Sequence, residues 1–327
     1  MTISQGGLIQ AADYNNLQAT VAKILGTTYD SAAPDYNYGL TTQINSSQIS
    51  ISPTPKTITA SDWTKLQLDI LAAAAHQGTT SLISALVSQT ISQSATILAS
   101  DQTNFINAVN IIQTNRTTAA TRSAYDPGLT NYRDASWGSN TKTTITHTFT
   151  LTWATAAEAR YFFNLGSIIQ FSASQSGGTP SWKQNANWAN ALSAMGTINY
   201  GVGGCFGNSA GTPSLNVGWY NLTDTNKQIF TKGGIADNTL TNPNTYINND
   251  YTISAKCNVA SNSTGTANSI TFTIDFNDDS KNATSSYDYL DGRFTSTVSI
   301  SKGTITDSST LYTAPQPTAT QGTLLTA

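Results

Sequence analysis

Site chemistry needs groups that titrate, coordinate or attack, and this chain carries few of them. It has two histidines, His76 and His147, one glutamate, Glu158, and two cysteines, Cys205 and Cys257. No H-x-x-x-H, C-x-x-C, G-x-S-x-G or G-x-x-x-x-G-K-[ST] pattern occurs. A carboxylate pair for acid–base work would have to come from the 17 aspartates. Two cysteines are too few for a disulfide framework and read as buried thiols, with a single bridge as the other option.

Three clusters come nearest to a site. In Asp275-Phe276-Asn277-Asp278-Asp279, the residues Asp275, Asn277 and Asp279 have the alternating oxygens of a calcium loop. No glycine follows at the turn and no glutamate closes the loop, so a polar strand end fits better. The run Gly201–Asn208 is glycine-rich but lacks the Lys-Ser/Thr of a phosphate cradle. Trp182, Trp188, Trp219 and Tyr220 could stack on sugar rings, although core packing is the ordinary use of such side chains. The sequence therefore predicts no catalytic residue, no cofactor site and no metal site, and the chain is expected not to be an enzyme.

Composition points the same way. Charged residues make up 10% of 327 positions, where an ordinary soluble domain has about 25%. Neutral polar groups stand in their place: 53 Thr, 36 Ser and 29 Asn. A net charge of −3 gives no basic footprint for nucleic acid. No apolar run approaches the ~20 residues of a membrane span. With no such run no membrane insertion is expected, and MTISQGGLIQ lacks the basic and apolar regions of a secretory signal, so no signal is expected either.

The elements that must position these residues fall into two regions. Leu17, Val21, Ile24 and Leu25 mark one face of a helix that stops at Gly26. A second helix opens at Thr59 and carries Trp63, Leu66, Ile70 and Leu71. Its entry repeats the first: Ile9, Ala11, Asp13, Leu17 and Gln18 align with Ile58, Ala60, Asp62, Leu66 and Gln67. Between them, Ile44–Ile51 alternates like a short strand. Residues 79–125 contain neither Gly nor Pro, and Ile91, Leu98, Phe105 and Ile112 recur every seven positions, flanked by Val87, Ala95, Ala108 and Val109. That spacing predicts one long helix, with these four residues as an oligomerisation seam or as the helix's own core stripe.

From about residue 126 the period changes to two. Thr143–Thr152 alternates Ile145, His147, Phe149 and Leu151 against threonines, a half-buried antiparallel strand. Short helices follow at TAAEARYFFNLG and SWKQNANWANALSAMG. Further strands are expected at Ile168–Ala173, Ser214–Asn221, Gln228–Lys232, Tyr251–Val259, Ser269–Asp275 and Arg293–Lys302.

Two stretches resemble a known group. GLIQAADYNNLQATVAKILG with TITASDWTKLQLDI is similar to the N-terminal region of virion structural proteins from large contractile-tailed phages of cyanobacteria and other marine bacteria. THTFTLTWATAAEARYFFNLGSIIQFSASQSGG with NANWANALSAMGTINYG is similar to a recurring block in the same group. The chain departs from its more usual Gly-Gly after Phe-Phe-Asn, having Leu165-Gly166 instead. The resemblance implies no catalytic residues.

The expected fold class is α+β. A helical attachment and oligomerisation domain spans 1–125 and a linker 126–140. An antiparallel β-sandwich-like domain with short helical insertions spans 141–312, and an extended tail 313–327. The expected function, implied by the resemblance and consistent with a neutral hydroxyl- and amide-rich surface, is that of a structural protein of a tailed-phage virion, assembled in the bacterial host cytoplasm. It would be an oligomeric neck, collar or tail-fibre component, a trimer as first guess, in contact with itself and with other virion proteins. Alternatives are an adhesin that binds host-surface glycan and a capsid decoration protein.

Overall fold

The computed structural model describes residues 10–40, 44–50, 57–92, 97–138, 143–180, 182–207, 211–213, 217–235, 246–279, 290–307, 310–322 and 325–326. The chain forms two compact units. One contains 1–123, 160–167 and 302–315, the other 124–159, 168–301 and 316–327.

The first unit is built on α1 (Ala11–Leu25), α2 (Ala60–Gln77), a 3-10 turn at Thr80–Ile83, α3 (Ser84–Val87) and α4 (Ala99–Thr114). The long helix expected over 79–125 is therefore broken. Gln67 Nε2 donates to the carbonyls of Leu86 and Gln89 at 2.7 and 2.9 Å where the chain turns. Ala95 of the expected stripe lies outside the described residues.

The break exposes a third copy of the helix entry that the two-copy alignment missed. Ile97-Leu98-Ala99-Ser100-Asp101 follows Ile9-Gln10-Ala11-Ala12-Asp13 and Ile58-Thr59-Ala60-Ser61-Asp62. In each copy the aspartate at the third helical position accepts the N–H of the residue before the helix: Gln10 to Asp13 at 3.0 Å, Thr59 to Asp62 at 2.8 Å, Leu98 to Asp101 at 2.8 Å. A carboxylate there also faces the positive end of the helix dipole.

The three helices run parallel. At their starts, Tyr14 Oη donates to the Asp62 carbonyl at 3.1 Å, and ring centroids lie 5.2 Å apart for Tyr14–Trp63 and 4.7 Å for Trp63–Phe105. At their ends, Gln77 Nε2 donates to the Ile112 carbonyl at 2.9 Å and to Tyr38 Oη at 2.8 Å, while the Tyr38 N–H reaches the Ile24 carbonyl at 2.8 Å. Parallel neighbours need long returns. The described part of the first return, residues 44–50, is an irregular strap rather than the expected strand. Asn15 exchanges hydrogen bonds with the backbone of Ile49, and buried Asp69 receives Asn45 and Ser46.

The expected domain limits shift. A helix α5 (Ala156–Asn164) ends within the first unit, where Asn164 Nδ2 donates to the Pro34 carbonyl at 2.9 Å. The hairpin β11 (Thr304–Asp307) and β12 (Thr310–Thr313) also belongs to the first unit, with the Thr304 carbonyl 2.8 Å from His76 Nδ1. The expected linker contains β1 (Leu129–Arg133), and the expected tail contains β13 (Thr318–Gln321) and β14 (Leu325–Thr326), all paired into sheets.

The second unit is the expected antiparallel sandwich. Its other elements are β2 (Thr143–Thr152), β3 (Ile168–Ser176), α6 (Lys183–Met195), β4 (Ile198–Gly201), β5 (Gly204–Gly207), β6 (Thr212–Pro213), β7 (Lys227–Lys232), β8 (Asp250–Cys257), β9 (Ser269–Asp278) and β10 (Arg293–Ser301). One sheet has the order β1-β10-β3-β4-β5, the other β13-β2-β9-β8-β7-β6, with β14 also on β2. Of the strand expected at Ser214–Asn221, residues 214–216 lie outside the described residues and Trp219–Asn221 is a 3-10 turn. Strict alternation buries one face of β2 and β9. Between the sheets Phe272 meets Phe171 at 4.9 Å and Tyr200 at 5.5 Å, and Phe276 meets Phe294 at 5.7 Å. Trp188 of α6 lies 5.8 Å from both Phe276 and Phe294.

Of the passages between the sheets, those after β2 and after β9 start from opposite ends. β2 leaves for β3 from Thr152, which faces the start of β9, and β9 leaves for β10 from the end facing Thr143.

Candidate functional site

The residues singled out in sequence do not converge. Phe105 and Ile112 are fully buried in the helical unit, Ile91 is partly exposed outside any helix, and Leu98 is 58% exposed at the start of α4. The four do not share one helix face: the heptad spacing crosses a break, and its two halves have different surroundings. Trp188 and Trp219 are fully buried core side chains, so Trp219 presents no ring to a sugar. Tyr220 is partly exposed in its turn.

The aspartate cluster is part of a strand. Alternation sends Asp275 and Asn277 outward, where Asp275 accepts from Thr146 Oγ1 at 2.7 Å and Asn277 accepts from Thr144 Oγ1 at 2.7 Å. Asn277 Nδ2 donates to Asp250 at 2.7 Å. A strand cannot curl these oxygens around one ion. Among the described residues no group of three or more His, Cys, Asp or Glu is placed to hold a metal. Gly201–Gly207 is the turn and second strand of the β4–β5 hairpin, and Asn208 lies outside the described residues. Cys205 and Cys257 are free, and burial pushes the Cys205 thiol up to about 12. Both histidines are held neutral, each lowered to about 4 chiefly by burial.

Two other features stand out. The first is apolar exposure on the helical unit. Leu68 of α2, Leu82 of the 3-10 turn, Val87 of α3 and Leu98 are all open to solvent, Leu82 at 63%. They belong to one stretch of 31 residues, in which the turn packs on α2 and α4 and α3 packs on α4. Single exposed apolar side chains are ordinary, and four within one stretch of the chain make it a candidate interaction surface.

The second is a cleft of about 380 Å³ in the sandwich unit, where β3 turns into α6. Gly177 and Gly178, both at positive φ, turn the chain out of β3. A Cβ on Gly178 would lie 2.6 Å from Asn185 Nδ2 and 2.6 Å from Asp291 Oδ1, so only glycine fits. Asp291 organises the floor. Its carboxylate accepts the Thr179 N–H at 2.8 Å, the Thr179 hydroxyl at 2.7 Å and Asn185 Nδ2 at 2.5 Å. These donors hold its pKa below the usual carboxylate range against an opposing desolvation by burial. Gln175, nine-tenths buried, donates through Nε2 to the Gly177 and Asp291 carbonyls. Trp182 closes the turn, its N–H donating to the Thr179 carbonyl at 3.0 Å, and its partly exposed side chain lines the cleft. Sequence reading found Trp182 but not Asp291 or Gln175, which are 116 positions apart.

No protein-family model, curated protein or solved structure matches this chain.

Proposed function

We propose that this chain is a structural protein of a tailed-phage virion, an oligomeric neck or tail appendage that works through protein–protein contacts. The observation that supports an assembly role is the exposed apolar set Leu68, Leu82, Val87 and Leu98 on the helical unit. The occupant of that surface is a second copy of the chain. A net charge of −3 over 327 residues offers little repulsion between copies, and burying such side chains removes apolar area from water at roughly 25 cal/mol per Å². The contact therefore uses the outward side chains of the 68–98 stretch and not a heptad seam through Phe105 and Ile112. The sequence resemblance to contractile-tailed phage proteins supplies the setting, with a trimer as the expected state.

The mass of the purified full chain by light scattering tests assembly. An oligomer that dissociates in Leu82→Asp and Leu98→Asp supports the reading, and a 34.6 kDa monomer at all concentrations overturns it. Immunogold labelling of intact particles tests the setting. Gold at the neck or tail supports an appendage, gold over the head makes the protein a capsid decoration, and unlabelled particles remove it from the virion surface.

A further inference from the structure

We propose that the cleft between β3 and α6 is a binding site for a neutral hexose unit of a glycan. At about 380 Å³ it falls in the lower part of the ~300–1,000 Å³ range of ligand clefts, room for a monosaccharide unit.

Its lining is of two kinds. Trp182, Pro180, Ala186 and Ala189 give its lining apolar surface, and Gln175, Thr179 and the Gly177–Gly178 backbone give it polar groups. A pyranose ring matches this division, with C–H groups on its face for an indole and hydroxyls on its edge for amides and carbonyls.

The floor is already set before a ligand arrives. Asn185 is committed to Asp291 and Thr179: its Nδ2 donates to the carboxylate and to the Thr179 carbonyl, and its Oδ1 accepts the Asp291 N–H at 3.1 Å. Gln175 is different. Its Nε2 is used twice, while its Oε1 accepts no hydrogen bond among the described residues, although the side chain is only 7% exposed. A nearly buried acceptor in the lining of an open cleft is suited to a ligand hydroxyl.

Charge selects the class of sugar. The Asp291 carboxylate, held by Thr179 and Asn185, lies beneath the cleft, and a second anion there would be repelled. Neutral hexoses are accepted, and uronic and sialic acids are disfavoured. This inference does not depend on the assembly role.

The test titrates the full chain with glucose, galactose, mannose and N-acetylglucosamine, with their short oligosaccharides, and with glucuronate, read by saturation-transfer NMR and calorimetry. Saturable binding of a neutral sugar, weaker or absent for glucuronate, is the expected result. Trp182→Ala should weaken it about tenfold or more, with partial retention in Trp182→Phe. Ala186→Trp fills the exposed side of the cleft without touching the Asp291 network, and should abolish binding in a chain that melts at the parent temperature. No saturable binding by any of the neutral sugars overturns the proposal. So does binding that survives both Trp182→Ala and Ala186→Trp, or that prefers glucuronate.

Discussion

Asp69, fully enclosed in the second helix, holds Ser46 twice, accepting its backbone N–H at 2.8 Å and its hydroxyl at 2.5 Å. The other carboxylate oxygen accepts Asn45 through its backbone N–H and its side-chain amide, both at 2.9 Å. One carboxylate thus closes the return between the first two parallel helices. Asp69→Asn turns one acceptor into a donor facing donors. We expect a loss of about 1.5–3 kcal/mol, the range for a hydrogen bond to a charged group. Urea denaturation of the variant measures this, and an unchanged midpoint would show that the strap adds nothing.

Leu98 and Phe105 share a heptad position but not an environment. Phe105→Ala removes a ring packed 4.7 Å from Trp63 and should cost about 3–5 kcal/mol. Leu98→Ala should change monomer stability by less than ~0.5 kcal/mol, because its side chain is in water. Equal destabilisation by the two would restore the continuous stripe and contradict the broken helix. Measuring both in the presence of mild denaturant separates folding from self-association.

Gly178→Ala should destabilise the sandwich by about 1–3 kcal/mol. The new Cβ meets Asn185 and Asp291 at 2.6 Å, and φ is +88° there. Gly177→Ala meets nothing within 4 Å and bears only the cost of positive φ. Thermal melts of the two should therefore differ, with Gly178→Ala the lower. Equal Tm values would mean that the carboxylate and amide give way without penalty.

The alternation of β2 and the stripes of the first two helices were legible because each inward side chain is fixed by local period alone. The α+β class followed from them. The third helix entry was obscured in two ways. A leucine stands where a polar cap is usual, and no Gly or Pro punctuates 79–125, since the chain is turned by Gln67 from another helix. The cleft was not legible. Asp291, Asn185 and Gln175 meet only after β10 pairs with β3, a contact that composition and spacing do not encode. The surrender of residues 160–167 and 302–315 to the helical unit is of the same kind: Asn164 reaches Pro34 across 130 positions.

His147 and His76 set the acid limit of stability. Both are enclosed, and burial lowers each to about 4, against an ordinary 6.5 in the unfolded chain. Between those values the unfolded state binds more protons than the folded one, so stability falls as the pH falls. Their contribution is complete above pH ~6.5 and is lost progressively towards pH ~4, by about 3 kcal/mol at most for each. Asp275 acts in the opposite sense. Burial raises its pKa, so protonating it on acidification relieves the folded state. The exposed carboxylates Asp30 and Asp134, lowered by their hydrogen bonds to Lys23 and Arg293, lose their small effect only below the usual carboxylate range. The interval from pH 6.5 to 4 therefore belongs mainly to the histidines. Urea midpoints at pH 7.5, 5.5 and 4.5 should decline in the parent chain and decline less in His147→Phe, which keeps an aromatic ring between the sheets. A flat profile in the parent, or an equal decline in the variant, would mean that His147 does not titrate against the fold.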